Sequence, residues 1–204
     1  IGLALLAARR SGGWLDHGVS AAMQSILALP EFVVGIVAVV LLGGGWLALF
    51  PPTSPLDPRL AAWQQPRLLV LPVLTMVLIA LPHLVESTKA LLRDELAGDY
   101  VRWARLSGIG DGRVLTRYAL PNTWGPVAQV GGVTVNYLLG GVVAIETVFA
   151  FPGIGSELVN AVAARDIVVV QVIAMGIATV LLVTFVVADL VGILTNPKLR
   201  RSTA

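Results

Sequence analysis

Four long stretches of this chain contain no Asp, Glu, Lys or Arg: Phe32–Phe50, Leu68–Leu81 (uncharged on to Val85), Val127–Ile145 and Ile167–Ala188. The hydrocarbon core of a bilayer is about 30 Å thick and takes about 20 helical residues to cross, so runs of this length predict membrane helices. A buried helix of a water-soluble domain would keep a polar face at the 3.6-residue period, and Val33–Leu42 and Val180–Val187 have none. Composition points the same way. Hydrophobic residues make up 56% and charged residues 13%, against about 25% charge in an ordinary soluble domain. The absence of cysteine and of a glycine period of three excludes a disulfide-stapled scaffold and a collagen repeat, and the apolar content excludes disorder. Ile1–Ala8 reads as the end of a fifth helix, and a start at Ile1 inside an apolar stretch reads as a fragment of a longer protein. The expected fold is all-α: a polytopic transmembrane helical bundle, one transmembrane domain over residues 1–204, with about four full membrane helices plus the end of a fifth.

Basic residues set the expected orientation, because cytoplasmic loops are enriched in Lys and Arg. Alternating topology puts Arg9, Arg10, Lys89, Arg93, Arg102, Arg105, Arg113, Arg117, Lys198, Arg200 and Arg201 on one side. Only Arg59, Arg67 and Arg165 fall on the other, which is 11 against 3 of the 14. The first side is predicted to be cytoplasmic, and the C-terminus with it. Phe50–Pro66, with prolines at 51, 52, 55, 58 and 66, and Ala150–Asp166 then become external segments. The internal segment of about residues 93–121 is different in kind: it holds nine of the charged residues, good helix formers and a Gly108-Ile109-Gly110-Asp111-Gly112 break. It predicts two short helices around a glycine turn.

Little in the sequence suggests chemistry in the chain itself. No Gly-Lys pair occurs, so a P-loop is absent and any ATP hydrolysis belongs to a partner. The glycine pairs at 108–112 and 153–155 follow no strand, which excludes a dinucleotide fingerprint. His17 and His83 lack neighbours at metal-ligand spacing, and no G-x-S-x-G elbow is present, so no cofactor, metal site or catalytic residue is expected. His83 and Ser87 stand four apart on one helix face, the single hint of a membrane-embedded enzyme. Ionisable residues near membrane depth are Glu31 after Pro30, His83 and Glu86 after Pro82, Glu146 and Asp189. Each is weighed as an interface or interhelical contact against a place on a substrate pathway. Asn136, halfway along its run and flanked at four-residue spacing by Gly132 and Gly140, suits either a pathway or close helix packing. The candidates for a translocation pathway are therefore Asn136, Glu31 and Glu146.

The segment Asp99-Tyr100-Val101-Arg102-Trp103-Ala104-Arg105-Leu106-Ser107-Gly108, closed by Leu120-Pro121, resembles the cytoplasmic signature loop of ABC importer permeases. Arg102 and Trp103 stand where Glu and Ala are general in that family, a departure typical of its peptide and nickel branch. The block Glu146–Gly155, with Ala164-Arg165-Asp166 and Val170-Gln171, is similar to the segment before the last helix in the B-type subunit of dipeptide, oligopeptide and nickel importers. Asp189 and Asn196-Pro197-Lys198-Leu199-Arg200 resemble the family's C-terminus, with Asn196 where Asp is commoner. The resemblance implies the type I importer permease fold, lacking here its first helix, an extracytoplasmic insert and most of its second helix. It implies a multi-pass subunit of the inner (cytoplasmic) membrane that moves di- or oligopeptides, or nickel as the alternative, by alternating access. Its expected partners are a homologous second permease, two ABC ATPases, an extracytoplasmic substrate-binding protein and the lipid bilayer, with no nucleic acid. The resemblance also makes Asp99, Tyr100, Val101, Arg102, Trp103, Ala104, Arg105, Gly108, Leu120 and Pro121 an ATPase-coupling loop. On physical grounds alone, the apolar side formed by Tyr100, Val101, Trp103, Ala104 and Leu106 suits a partner's groove and the lipid headgroups equally. A self-contained secondary transporter is the rival from another class, and it predicts a midplane ionisable cluster and an inverted repeat.

Overall fold

The computed structural model describes residues 13–44 and 47–195, and all regular structure in them is helical. Ile1–Ala8, Arg9, Arg10 and the Asn196–Ala204 tail lie outside the described residues. In chain order the elements are α1 (Trp14–Leu27), α2 (Glu31–Ala38, running on as a π-helical turn, Val39–Gly44), a 3-10 turn (Ala62–Gln64), α3 (Pro66–Leu96), α4 (Asp99–Leu106), α5 (Asp111–Val114, with a π-helical turn at Leu115–Ala119), α6 (Leu120–Phe149), α7 (Ile154–Ala163) and α8 (Ile167–Thr195).

Three stretches are long and apolar enough to cross a membrane: Pro66–Leu96, Asp111–Phe149 and Ile167–Gly192. At about 1.5 Å per residue, even the shortest reaches about 39 Å, more than a hydrocarbon core needs. They contain three of the four uncharged runs. The first run behaves differently. Its helix stops at Gly44, so Glu31–Gly44 spans only about 21 Å and qualifies as a crossing only together with His17–Leu27, from which it is bent by 104°. Pro30 explains the break: it has no N–H to donate and biases Leu29 away from helical backbone. Among the described residues there are thus three continuous crossings, and a fourth, broken one where the bent pair counts as a span.

One further expectation changes. Leu120-Pro121 does not close the internal segment, because one helix runs unbroken through it from Asp111 to Phe149. The π-helical turn at Leu115–Ala119, in which the Leu120 N–H bonds the Leu115 carbonyl, widens the backbone where Pro121 would crowd the carbonyl four residues back. The segment Ala150–Asp166, with no element predicted from the sequence, contains α7.

The chain packs as two compact units. One comprises Pro82–Val135 with the described parts of Ile1–Gln24 and Thr184–Ala204; its apolar clusters centre on Leu92, Leu115 and Ala119, and on Val101, Ala104 and Val114. The other comprises Ser25–Leu81 and Asn136–Val183, with a core of Val34, Ala38, Leu71, Ile79, Ile145 and Phe149. In that second unit Ser54 pins the proline-rich loop: its N–H donates to the Phe149 carbonyl at 2.7 Å and its hydroxyl to the Leu68 carbonyl at 2.6 Å. Burial grades the helices. In the most apolar window of α3, 39% is buried, and in that of α8 none is. Only a stripe of α8 is half-buried, Val170, Ile173, Ile177, Leu181, Thr184 and Ala188, at spacings of three and four, as expected of a helix apolar all round that rests on its own chain along one line.

Candidate functional site

The internal segment folds as a short helix braced at both ends. Asp99 opens α4 beside the positive end of its dipole, with Gly98 as N-cap. At the far end Gly108 takes a φ of +80°, a left-handed conformation that glycine adopts without strain. The Gly108 N–H bonds the Arg105 carbonyl at 3.0 Å and the Ile109 N–H bonds the Ala104 carbonyl at 3.1 Å, the two bonds of a Schellman motif. Arg105 Nε also donates to Asp111 Oδ1 at 2.9 Å across the turn.

Tyr100 joins three helices. Its hydroxyl donates to the Glu95 carboxylate at the end of α3 and accepts from Asn122 Nδ2, at 3.3 Å, at the start of α6. Burial first, and the bond to Glu95 second, push its phenol above the ordinary tyrosine range. The five residues expected to form one apolar side divide. Val101 and Ala104 turn inward onto Val114, with Tyr100 packed beside them, whereas Trp103 and Leu106 stand 70% and 73% exposed. Packing within the chain uses the first group and leaves Trp103 and Leu106, beside the exposed Arg102 and Arg105, as the outward face. Leu120 packs with Leu92, Leu115 and Ala119, and Pro121 is exposed on α6.

The pathway candidates fare differently from one another. Glu31 shares a pocket with Met76, Ile79, Tyr137, Leu138, Gly141 and Ile145. Met76 lies at the middle of the Leu68–Val85 run and Tyr137 at the middle of Val127–Ile145, so Glu31 shares its pocket with central residues of both runs. The Tyr137 hydroxyl donates to its carboxylate. Gly141 leaves room for it, since a Cβ there would stand 3.1 Å from Glu31 Cδ. Neither Oδ1 nor Nδ2 of Asn136, one residue before Tyr137, has a hydrogen-bond partner, and both are buried.

Glu146 is committed to structure. It is 7% exposed, and its Oε2 accepts from the Ser156 N–H at 2.7 Å, capping the start of α7. Gly155 permits this approach: a Cβ there would meet Val143 Cα at 2.8 Å and Glu146 Oε2 at 2.9 Å. Two participants were not singled out from the sequence. Tyr137 is signalled by a hydroxyl-bearing aromatic next to Asn136 in the middle of an apolar run. Lys89, counted above only as a cytoplasmic charge, is 1% exposed; it donates to Ser20 Oγ and lies 3.7 Å from Glu86, while Ser20 Oγ donates to Glu86 at 3.0 Å. The Glu86–Lys89 spacing of three is its sequence signal.

Comparison with known proteins adds a family and several relatives. The profile of the family described as "Binding-protein-dependent transport system inner membrane component" matches residues 1–201. The chain is 35% identical to the di/tripeptide transport system permease protein DppB of Pseudomonas aeruginosa, over 96% of this chain and 64% of the relative. It is 29% identical to the dipeptide transport system permease protein DppB of Haemophilus influenzae, over 97% and 65%, and 31% identical to the probable D,D-dipeptide transport system permease protein DdpB of Escherichia coli, over 98% and 65%. The chain thus spans a little under two thirds of the length of these relatives.

Proposed function

Because the chain belongs to the family of binding-protein-dependent transport system inner membrane components, we propose that it is the permease subunit of an ATP-driven importer of di- or oligopeptides. The peptide cargo is carried over from the names of the relatives. The subunit works in the inner membrane with its C-terminus in the cytoplasm. It pairs with a homologous second permease, receives cargo from an extracytoplasmic binding protein, and is driven by two ABC ATPases. The outward face of α4 is the docking element, and Glu31 and Asn136 border the pathway.

One observation carries this reading: α4 is fastened to both flanking helices through Tyr100, yet leaves Trp103 and Leu106 uncovered beside two exposed arginines. A helix held this way moves with the helices that hold it, and Trp and Arg are the residue types that dominate interface energies. ATP-linked closure of the partners then acts by differential affinity for the two states of the permease pair. Assembly tests it. Trp103→Glu with Leu106→Glu should leave insertion and pairing with the second permease intact while the ATPase subunits no longer co-purify; full recovery of the ATPases would place docking elsewhere.

A further inference from the structure

We propose that Glu31 and Tyr137 form a mid-membrane subsite for a cationic group of the cargo, such as the α-ammonium of a peptide; this rests on the reading of the chain as a peptide importer permease. Glu31 begins α2 at the break in the bent crossing, and its pocket includes Met76 and Tyr137, at the centres of the apolar runs of α3 and α6. It is half-buried, and Tyr137 is 44% exposed, so the pair lies on a surface and not in a sealed core. The ion pairs described, Lys89–Glu86 and Arg105–Asp111, do not involve Glu31. A carboxylate at this depth facing lipid carries a large desolvation cost, and such groups face water-filled cavities or an opposite charge instead. Broken membrane helices are where irregular backbone and polar groups meet transported ions and substrates.

The chemistry of the pair is selective. The Tyr137 hydroxyl donates to Glu31, which fixes the carboxylate and leaves its remaining lone pairs to accept from a donor-rich cation. Gly141, without a side chain, lets the carboxylate lie against α6. A primary ammonium offers three donors and a positive charge. A cargo carboxylate would meet repulsion, so the subsite admits a peptide amino end first.

These 204 residues contain no cysteine, so labelling read on this chain after the subunits are separated reports on the introduced thiol. In the reconstituted full complex, Tyr137→Cys is labelled with a trimethylammonium-ethyl or a sulfonato-ethyl methanethiosulfonate, and the ratio of the two rates is compared with that in Tyr137→Cys/Glu31→Gln. The proposal expects the cation-to-anion ratio to be about tenfold higher with Glu31 present. It also expects Ala-Ala, but not N-acetyl-Ala-Ala, to slow the cationic reagent. Equal ratios in the two variants overturn the subsite, including the case in which a basic residue of the second permease neutralises Glu31. Failure of both reagents to react overturns it as well. Should Tyr137→Cys not assemble, Leu138→Cys in the same pocket serves in its place, with the same two outcomes. ATP-driven uptake of Ala-Ala by the unsubstituted complex separates the two readings: no uptake overturns the importer, whereas uptake with a flat ratio overturns only the subsite.

Discussion

Glu146 shows how a single polar atom can stand for a whole connection. Its carboxylate reaches the Ser156 N–H in a nearly dry setting, and since the amide oxygen of Gln can still accept that bond, Glu146→Gln should lower the stability of the assembled protein by about 1 kcal/mol, the margin of a charged over a neutral hydrogen bond. Thermal unfolding measures the loss, and amide exchange should rise first in Ile154–Ala163. Tyr100 makes a different prediction, in pH. Its folded-state value lies above the unfolded value of about 10, so the stability it contributes is complete below pH 10 and is lost as pH rises through the raised folded value. The tyrosinate absorbance step missing from Tyr100→Phe should therefore lie above pH 10; a missing step at or below 10 would contradict the bond to Glu95. Neither bond was legible in the sequence. Glu146 reads there as an ionisable group at the end of an apolar run, and the ten-residue return to Ser156 depends on Ala150 at a φ of +49° and on glycines that clear the way.

The short helix α4 was legible because its signals are local: an acidic first turn, alternating packing residues and a glycine where the chain must turn left-handed. Gly108→Val forces a branched side chain into that conformation at about 1 to 2 kcal/mol and should loosen the turn, seen as raised amide exchange at Ile109. Asp111→Ala removes only an exposed ion pair, worth at most about 1 kcal/mol, and should leave transport unchanged. Which side of α4 packs within the chain was not legible, because helical periodicity marks an apolar side without saying what covers it. Ala104 is a case in point. It lies against Val101 and Val114, so Ala104→Asp would disrupt the segment's own core and says nothing about docking. The broken crossing was hidden for a related reason. An uncharged run of Phe32–Phe50 has the length of a membrane helix, and only the Pro30 break and the glycines at 43–44 foreshadow where the helix begins and stops.

For the molecule as a whole, the runs of apolar residues carried the class of fold, and three of them became continuous crossings. Orientation rests on the 11-to-3 division of basic residues and predicts a labelling pattern. In intact cells an impermeant thiol reagent should modify Trp63→Cys, on an exposed external loop, and should reach Ser107→Cys, at the end of α4, only after permeabilisation. The reverse order would invert the topology and remove α4 from the compartment where ATPases reside. The most direct test of the account is peptide uptake driven through that helix. Proteoliposomes holding the complete complex, loaded with ATP on the ATPase side, should accumulate Ala-Ala against its gradient, and Trp103→Ser with Leu106→Ser should abolish accumulation in a complex whose membrane subunits still insert and pair. Undiminished accumulation by that variant, or accumulation driven by an ion gradient without ATP, would contradict it.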